Sequence, residues 1–372
     1  MVGAELELIP LHASTHAVVT ARSSAGVLSR IARNEGWHGE EAGNDLTAWN
    51  LPDGSRVSFE PGGQIEISSA PQETASSLIE SLRRLAGVLK EEMENEGISL
   101  ITRGVDPYND ISSVALQLQR DRYIRMTDYF NSVGESGIRM MRQTAALQIN
   151  VERGSDPLLR WSLLNALAPA VTALFANSRQ YARADSGFAS YRAHLWRTLD
   201  PGRTGLSYDA QDPALHYLRF ALNAGAIRSG DIRERKPYRR FRDWMRDSDV
   251  SFEDWHFHLS TLFPEVRPKS YFELRSADTV DIEWLAAPIV FVTGLVYDAA
   301  SARDAAELLG EPSSALLEVA GKLGLRDRRM KEVTAALVRL SVQGAESLGE
   351  QYVSADHIAS ARDYFSRSLD GD

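Results

Sequence analysis

The chain has 372 residues, 43% hydrophobic and 25% charged, with 41 Lys and Arg against 51 Asp and Glu for a net charge of −10. That balance supplies enough apolar material for a core, which excludes a largely disordered chain, and its acidity argues against a general nucleic-acid binder. The absence of Cys excludes disulfides, thiolate metal sites and a cysteine nucleophile, and fits a reducing compartment.

Residues 2–8 alternate apolar and polar side chains and predict a strand. Residues 25–34 predict a helix. Strands follow at 47–50, 56–60 and 64–68, broken by Pro-Asp-Gly at 52–54 and Pro-Gly-Gly at 61–63. Leu78, Leu82, Leu85 and Leu89 have helical spacing and predict a helix over 73–94. Short strands are expected at 98–102 and 146–151. Beyond about residue 150 the chain turns mainly helical. Segments 157–175 and 286–299 are apolar on most sides and predict buried helices, the first started by Pro157 behind Ser155 or Asp156. Both are shorter than the roughly 20 residues of a membrane span. The N-terminal Met-Val-Gly-Ala-Glu-Leu-Glu carries carboxylates where a signal peptide would be apolar. A cytoplasmic protein with no membrane partner is therefore expected. Several amphipathic helices are expected from about residue 300, the last at 355–369. With no repeat and no long linker, the expectation is one catalytic domain over 1–372: a core through residue 298 and a helical part, 299–372, packed on it.

Side chains two apart in a strand share a face. Four predicted strands place unusual groups at that spacing: Glu5 and Glu7, Gln64 and Glu66, Gln148 and Asn150, Glu273 and Arg275. A solvated face of an antiparallel sheet would account for polar residues there. These positions, however, hold no Lys and are rich in carboxylate and amide. Neighbouring carboxylates repel unless a cation lies between them, and Mg²⁺ takes such oxygen ligands. From the pattern alone both readings stand. Other signatures are missing: no GxxxxGK[ST], no GxGxxG after a strand, no HExxH and no GxSxG. The Pro-Gly-Gly at 61–63 suits a tight turn better than a phosphate loop. His256 and His258 lie two apart in a helical segment and point different ways, as surface or hydrogen-bonded residues. Residues 228–247 hold eight basic and four acidic side chains. They would make a solvated loop with scattered ion pairs or a phosphate-facing flap. Arg192, among Phe188, Tyr191 and Trp196, suits either a bidentate carboxylate contact or stacking.

Several strings, taken together and in order, resemble the plant-type glutamate–cysteine ligases and their bacterial relatives. They are Gly3-Ala4-Glu5-Leu6-Glu7, Phe59-Glu60-Pro61-Gly62-Gly63-Gln64, Met140-Met141-Arg142-Gln143, Gln148-Ile149-Asn150, Tyr191-Arg192, Thr261-Leu262-Phe263-Pro264-Glu265-Val266-Arg267 and Phe272-Glu273-Leu274-Arg275. The resemblance covers about residues 2–298. It implies an α+β, glutamine-synthetase-like fold, whose curved antiparallel sheet forms a funnel with metals and nucleotide on its polar face. It also implies a reaction: ATP phosphorylates the γ-carboxylate of L-glutamate, and the amine of L-cysteine displaces phosphate to give γ-glutamylcysteine for glutathione or ergothioneine. Carried over by motif, Glu7, Glu60 and Glu66 form one metal-ligand set and Glu5, Gln148 and Glu273 another, for Mg²⁺ or Mn²⁺. Arg275 meets the transferring phosphate beside Glu273, and Asn150 contacts nucleotide or metal. Arg192, Tyr191 and Met141 bind substrate, with Arg192 on the glutamate carboxylate. Plant relatives carry a Cys near Ala145 and Ala146, where this chain has none. A ligase of the same fold joining glutamate to a different amine is the alternative.

Overall fold

A computed structural model describes residues 1–42, 45–206, 212–227 and 238–371. Its main sheet holds β1 (Val2–His12), β2 (His38–Ala42), β3 (Asp45–Asn50), β4 (Arg56–Phe59), β5 (Ile65–Ser68), β6 (Ile98–Ile101) and β7 (Ala146–Val151). Four two-residue strands lie outside it: β8 (Gln180–Tyr181), β9 (Ala184–Asp185), β10 (Thr204–Gly205) and β11 (Phe263–Pro264). The main sheet is completed by β12 (Val266–Pro268) and β13 (Phe272–Asp278), and its order is β12-β13-β7-β1-β5-β4-β3-β2. Every pairing in it is antiparallel. Strand β1 runs past the expected residue 8 because β6 takes over as its partner from Ile9 to His12. Strand β2 is an addition to the expected set. Its His-Gly-Glu-Glu-Ala sequence has no apolar alternation, and it sits at the sheet edge, paired only with β3.

The helices are α1 (Ala21–Glu35), α2 (Ala75–Glu94), α3 (Asp121–Val133), α4 (Glu135–Gln143), α5 (Pro157–Leu174), α6 (Tyr191–Leu199) and α7 (Pro213–Asn223). They continue with α8 (Phe241–Asp247), α9 (Phe252–Leu259), α10 (Ala286–Tyr297), α11 (Ala299–Leu309), α12 (Ser314–Leu323), α13 (Arg328–Leu348) and α14 (Ala355–Asp370). Their starts follow capping chemistry: Thr20, Thr74 and Asp156 accept the N–H of the third residue on, and Pro157 occupies the first turn of α5.

One sheet face is apolar, with Leu6, Leu8, Ile65, Ile67, Leu147, Ile149 and Leu274 all buried. Helices α2, α5 and α10 pack against it. Ala286 to Val296 of α10 are buried on every side, because α2, α5, α13 and α14 surround the helix. The α10–α13 crossing depends on two glycines: a Cβ on Gly294 would lie 2.0 Å from the Ser341 carbonyl oxygen, and one on Gly344 2.1 Å from that of Gly294. The main hydrophobic cluster among the described residues thus takes in residues from Val2 to Phe365. No single helix among the described residues is long and apolar enough to cross a membrane. Most of the basic run, 228–237, lies outside the described residues. Its remaining part carries the exposed pairs Arg239–Asp247 and Arg240–Asp243.

Candidate active site

Strands β13, β7, β1 and β5, which carry the unusual polar residues apart from Gln64 just before β5, are consecutive neighbours in the sheet. Register sets Glu5 opposite Gln148, Glu7 opposite Glu66, and Glu273 opposite Asn150. Glu5, Glu7, Glu60, Gln64, Glu66, Gln148 and Arg275 line one cavity of about 150 Å³. Arg122, Tyr123 and Met126 of α3 and Met140 and Met141 of α4 line it too, with Trp196 of α6 and Phe263 and Arg267 near β12. The Pro-Gly-Gly turn fixes one wall. Gln64 Nε2 donates to the Thr144 carbonyl at 2.9 Å, and its Oε1 accepts the Gly62 N–H at 3.0 Å. A Cβ on Gly62 would meet the Arg142 carbonyl oxygen at 2.0 Å, so only glycine lets the turn press on the end of α4. This clamp brings Glu60 to the cavity.

The cavity has two electrostatic poles. Glu5 is pushed up to about 7 by burial and by Glu273 and Glu66. Glu66 is likewise pushed up to about 7, by burial and by Glu7. Burial and Glu66 hold Glu60 well above the ordinary range. Burial also raises Glu7, whose carboxylate accepts the Ala146 N–H at 2.8 Å and Gln148 Nε2 at 3.1 Å. The opposite pole centres on Glu273, which is completely buried. It meets Lys269 Nζ at 2.6 Å, Arg275 Nη1 at 2.7 Å and Arg267 Nη1 at 3.2 Å. Burial works to raise its pKa, but Arg275, Arg267 and Lys269 bring it down to about 2. Burial and the neighbouring Arg275 lower Arg267 to about 10.

Among the described residues, no three His, Cys, Asp or Glu side chains converge as a closed metal-ligand set. The anionic pole nonetheless fits a hard cation. It opposes like charges on paired strands, which costs stability. It also holds Gln148 Oε1, buried without a partner. Glu273 fits less directly, because Lys269 and Arg275 engage its two oxygens.

Arg275 stands at a β-bulge, where the β13–β7 register shifts between Leu274 and Ala277. Its N–H donates to the Glu265 carbonyl at 2.9 Å, and Glu265 Oε2 accepts Ser276 Oγ at 2.6 Å. Arg192 lies behind it, only 3% exposed. Arg192 Nη2 donates to the Arg275 carbonyl at 2.8 Å, Nη1 is 3.8 Å from Asp278, and its guanidinium is 4.7 Å from the Trp196 ring centre. Arg192, Tyr191, Asn150 and Glu273 do not line the cavity, Glu273 lying behind Arg267 and Arg275, whereas Met141 does. The Tyr191 hydroxyl accepts Arg139 Nη1 at 3.2 Å, and its ring packs with Val105 and Leu195. Asn150 Oδ1 is buried without a partner. His256 bonds within its own helix and His258 is buried on the Ala221 carbonyl at 2.8 Å, as expected of non-ligand histidines. Sequence reasoning did not single out Arg122, Glu265, Arg267 and Lys269. For Arg267 and Lys269 a signal was present: they continue the every-second-residue spacing that flagged Glu273 and Arg275.

The chain matches the sequence profile of glutamate-cysteine ligase family 2 (GCS2) over residues 1–353. It is 33% identical to the glutamate–cysteine ligase EgtA of Mycolicibacterium smegmatis, over 79% of this chain and 72% of the relative. It is 28% identical to the chloroplastic glutamate–cysteine ligase of Nicotiana tabacum, over 94% and 70% of the two chains. Among solved structures, a glutamate–cysteine ligase of Francisella tularensis in complex with AMP superposes with a TM-score of 0.51 at 12% identity, covering 99% of this chain and 86% of that one. That likeness supports the fold.

Proposed function

Since the chain belongs to glutamate-cysteine ligase family 2, we propose that it joins L-glutamate to L-cysteine at the expense of ATP. The product is γ-glutamylcysteine, for glutathione or ergothioneine formation. The observation that carries this reading is the polarised cavity: crowded carboxylates on β1 and β5 face Arg275 and Arg267 across about 150 Å³.

The chemistry follows from that polarity. A carboxylate is a poor acyl donor because its oxygen leaves badly. Transfer of the terminal phosphoryl group of ATP to the γ-carboxylate oxygen converts that oxygen into part of a phosphate leaving group. The amine then attacks the γ-carbon; the new C–N bond forms, the C–O bond breaks and phosphate departs. Charge spreads over the transferring phosphoryl oxygens, so catalysis rests on positioning and electrostatics. Arg275, held rigid by Glu273, Glu265 and Arg192, stabilises that charge. Glu5, Glu7, Glu60, Glu66 and Gln148 would hold Mg²⁺ or Mn²⁺, which neutralises phosphate charge when bound, with Glu273 at the border of the two poles. Arg192 would act on the glutamate carboxylate indirectly, by holding Arg275 through its carbonyl, and Asn150 would stand beside Glu273 on the neighbouring strand. Met141, Met140 and Tyr123 supply an apolar wall suited to a thiol side chain. Small-molecule substrates, a cytoplasmic setting and one catalytic unit complete the reading.

The test is ADP release with Mg²⁺, ATP and glutamate, with and without cysteine, followed by product mass. Cysteine-dependent ADP with the mass of γ-glutamylcysteine is expected. Release driven by another amine and not by cysteine would replace the acceptor and keep the metal and phosphate roles. No release with any amine would overturn the reading.

A further inference from the structure

Asp278 ends β13, is 1% exposed and stands outside the cavity lining. Its Oδ2 accepts the Asn177 N–H at 2.8 Å and Ser178 Oγ at 2.6 Å, and its Oδ1 accepts Ser190 Oγ at 2.9 Å. A Cβ on Gly104 would lie 2.3 Å from its Cγ, so the carboxylate packs directly on that backbone. Burial pushes its pKa up, and Arg192, Ser178, Asn177 and Ser190 act against that. An ionised carboxylate only accepts, so both serines donate to it and are left with lone pairs to offer elsewhere. Ser178 Oγ accepts the Arg192 N–H at 3.1 Å, and Ser190 Oγ accepts the Ala193 N–H at 3.1 Å. These first-turn N–H groups of α6 have no partner within the helix, and the Asp278 charge stands behind them at its positive end.

The same carboxylate faces the Arg192 side chain, whose Nη1 lies 3.8 Å from Oδ1. Burial draws the Arg192 pKa down, and Asp278, then Glu7 and Glu265, oppose it. What Arg192 holds in turn is backbone. In the β13–β7 pairing Leu274 faces Ile149 and Ala277 faces Leu147, so Arg275 and Ser276 share Gln148 and the ladder is interrupted there. Arg192 Nη2 donates to the Arg275 carbonyl at 2.8 Å, and the Arg275 N–H donates to the Glu265 carbonyl at 2.9 Å. Arg275 is thus pinned on both sides of its Cα, and its side chain lines the cavity.

We propose that Asp278 is a positioning residue: through Ser178, Ser190 and Arg192 it fixes the backbone of Arg275, and with it the guanidinium that meets the transferring phosphoryl group. This rests on the ligase reading and adds to it the residue that anchors the arginine from behind. A displacement of about 1 Å at a reacting centre costs about 100-fold in rate, so a clamp outside the cavity is felt in turnover.

Steady-state kinetics of Asp278→Asn, which keeps the shape and removes the charge, tests this. Wild type is measured first; no turnover with any amine would overturn the ligase reading and this inference with it. Given turnover, kcat/KM for glutamate should fall about 10- to 100-fold in Asp278→Asn, with the KM for glutamate raised and the KM for ATP within about twofold of wild type. A loss of folded protein lowers kcat and moves neither KM. In an Arg275→Met background the same change should cost no more than about twofold, because the residue it acts through is gone. Ser178→Ala removes one of the donors that link Asp278 to α6. It should move the same constants in the same direction by about two- to tenfold, and it provides an independent readout if Asp278→Asn folds poorly. Three results would each overturn this inference and leave the ligase reading intact: wild-type constants in both single variants, a lower kcat with an unchanged KM for glutamate, and an equal cost with and without Arg275.

Discussion

Replacing Glu66 with Gln should stabilise the metal-free protein at alkaline pH, the reverse of what most changes at buried polar sites do. Glu66 lies opposite Glu7 on the neighbouring strand, and burial and Glu7 push its pKa up to about 7 from an ordinary 4.5. A carboxyl whose folded pKa is raised contributes stability that is complete below the unfolded value and is lost as pH rises through the folded one. The shift of about 2.5 units corresponds to about 3 kcal/mol at pH 8, falling to about 1 kcal/mol at pH 5. Gln keeps the shape and still accepts from Ser68 Oγ, which bonds Glu66 at 2.9 Å, but it carries no charge. For a chain of 372 residues, 3 kcal/mol is about 4 °C in Tm. The assay is thermal unfolding in EDTA at pH 5 and pH 8, read as the variant-minus-wild-type difference so that other titrating groups cancel. Saturating Mg²⁺ should then raise the Tm of wild type more than that of Glu66→Gln. A variant less stable than wild type in EDTA at pH 8, with the pH dependence of the difference absent, would refute the account of crowded carboxylates.

Arg275→Met should lower kcat about 100- to 1000-fold, the usual loss of one preorganised transition-state donor, and should also lower Tm, because the buried Glu273 loses its partner at 2.7 Å; a kcat within threefold of wild type would remove Arg275 from the phosphoryl step. Arg192→Lys should raise the KM for glutamate at least tenfold, and an unchanged KM would assign Arg192 to packing on Trp196 and the Arg275 carbonyl. Gly62→Ala should lower Tm and activity together, because its Cβ would overlap the Arg142 carbonyl and overpacking costs about 1–3 kcal/mol or more; a wild-type Tm would refute the clamp. His258 is depressed to about 4 by burial, so the unfolded chain takes up a proton first as pH falls below 6.5. Up to about 3 kcal/mol of stability should therefore be lost between pH 6.5 and 4, and His258→Phe should flatten that part of the profile measured by denaturant unfolding.

Much of the site was legible because strands have a period of two. Glu5, Glu7, Glu66, Gln148, Glu273 and Arg275 alternate with core residues, and the four strands concerned prove to be sheet neighbours. Pairing partners were not legible, because antiparallel register joins residues as distant as Glu5 and Gln148 with no local signal. Helix starts followed Asp156 and Pro157, a local chemistry that sequence displays directly. Strand β2 escaped because an edge strand need not bury either face. Helix α3, which lines the cavity, buries Tyr123, Met126 and Phe130 at helical spacing, so its amphipathic signal was available. Arg192 had two open readings, and its burial between the Arg275 carbonyl, Asp278 and Trp196 depends on tertiary contacts that no spacing encodes. Lys269 and Arg267 show the opposite case: the alternation reaches them once strand β12 is known to precede β13.

The central claim is that the polarised cavity activates glutamate as an acyl phosphate. Glutamate labelled with ¹⁸O in its γ-carboxylate, turned over with Mg²⁺, ATP and cysteine, tests it most directly. The account predicts one ¹⁸O atom in the released inorganic phosphate per γ-glutamylcysteine formed, read by mass spectrometry. Product formation with unlabelled phosphate would contradict it.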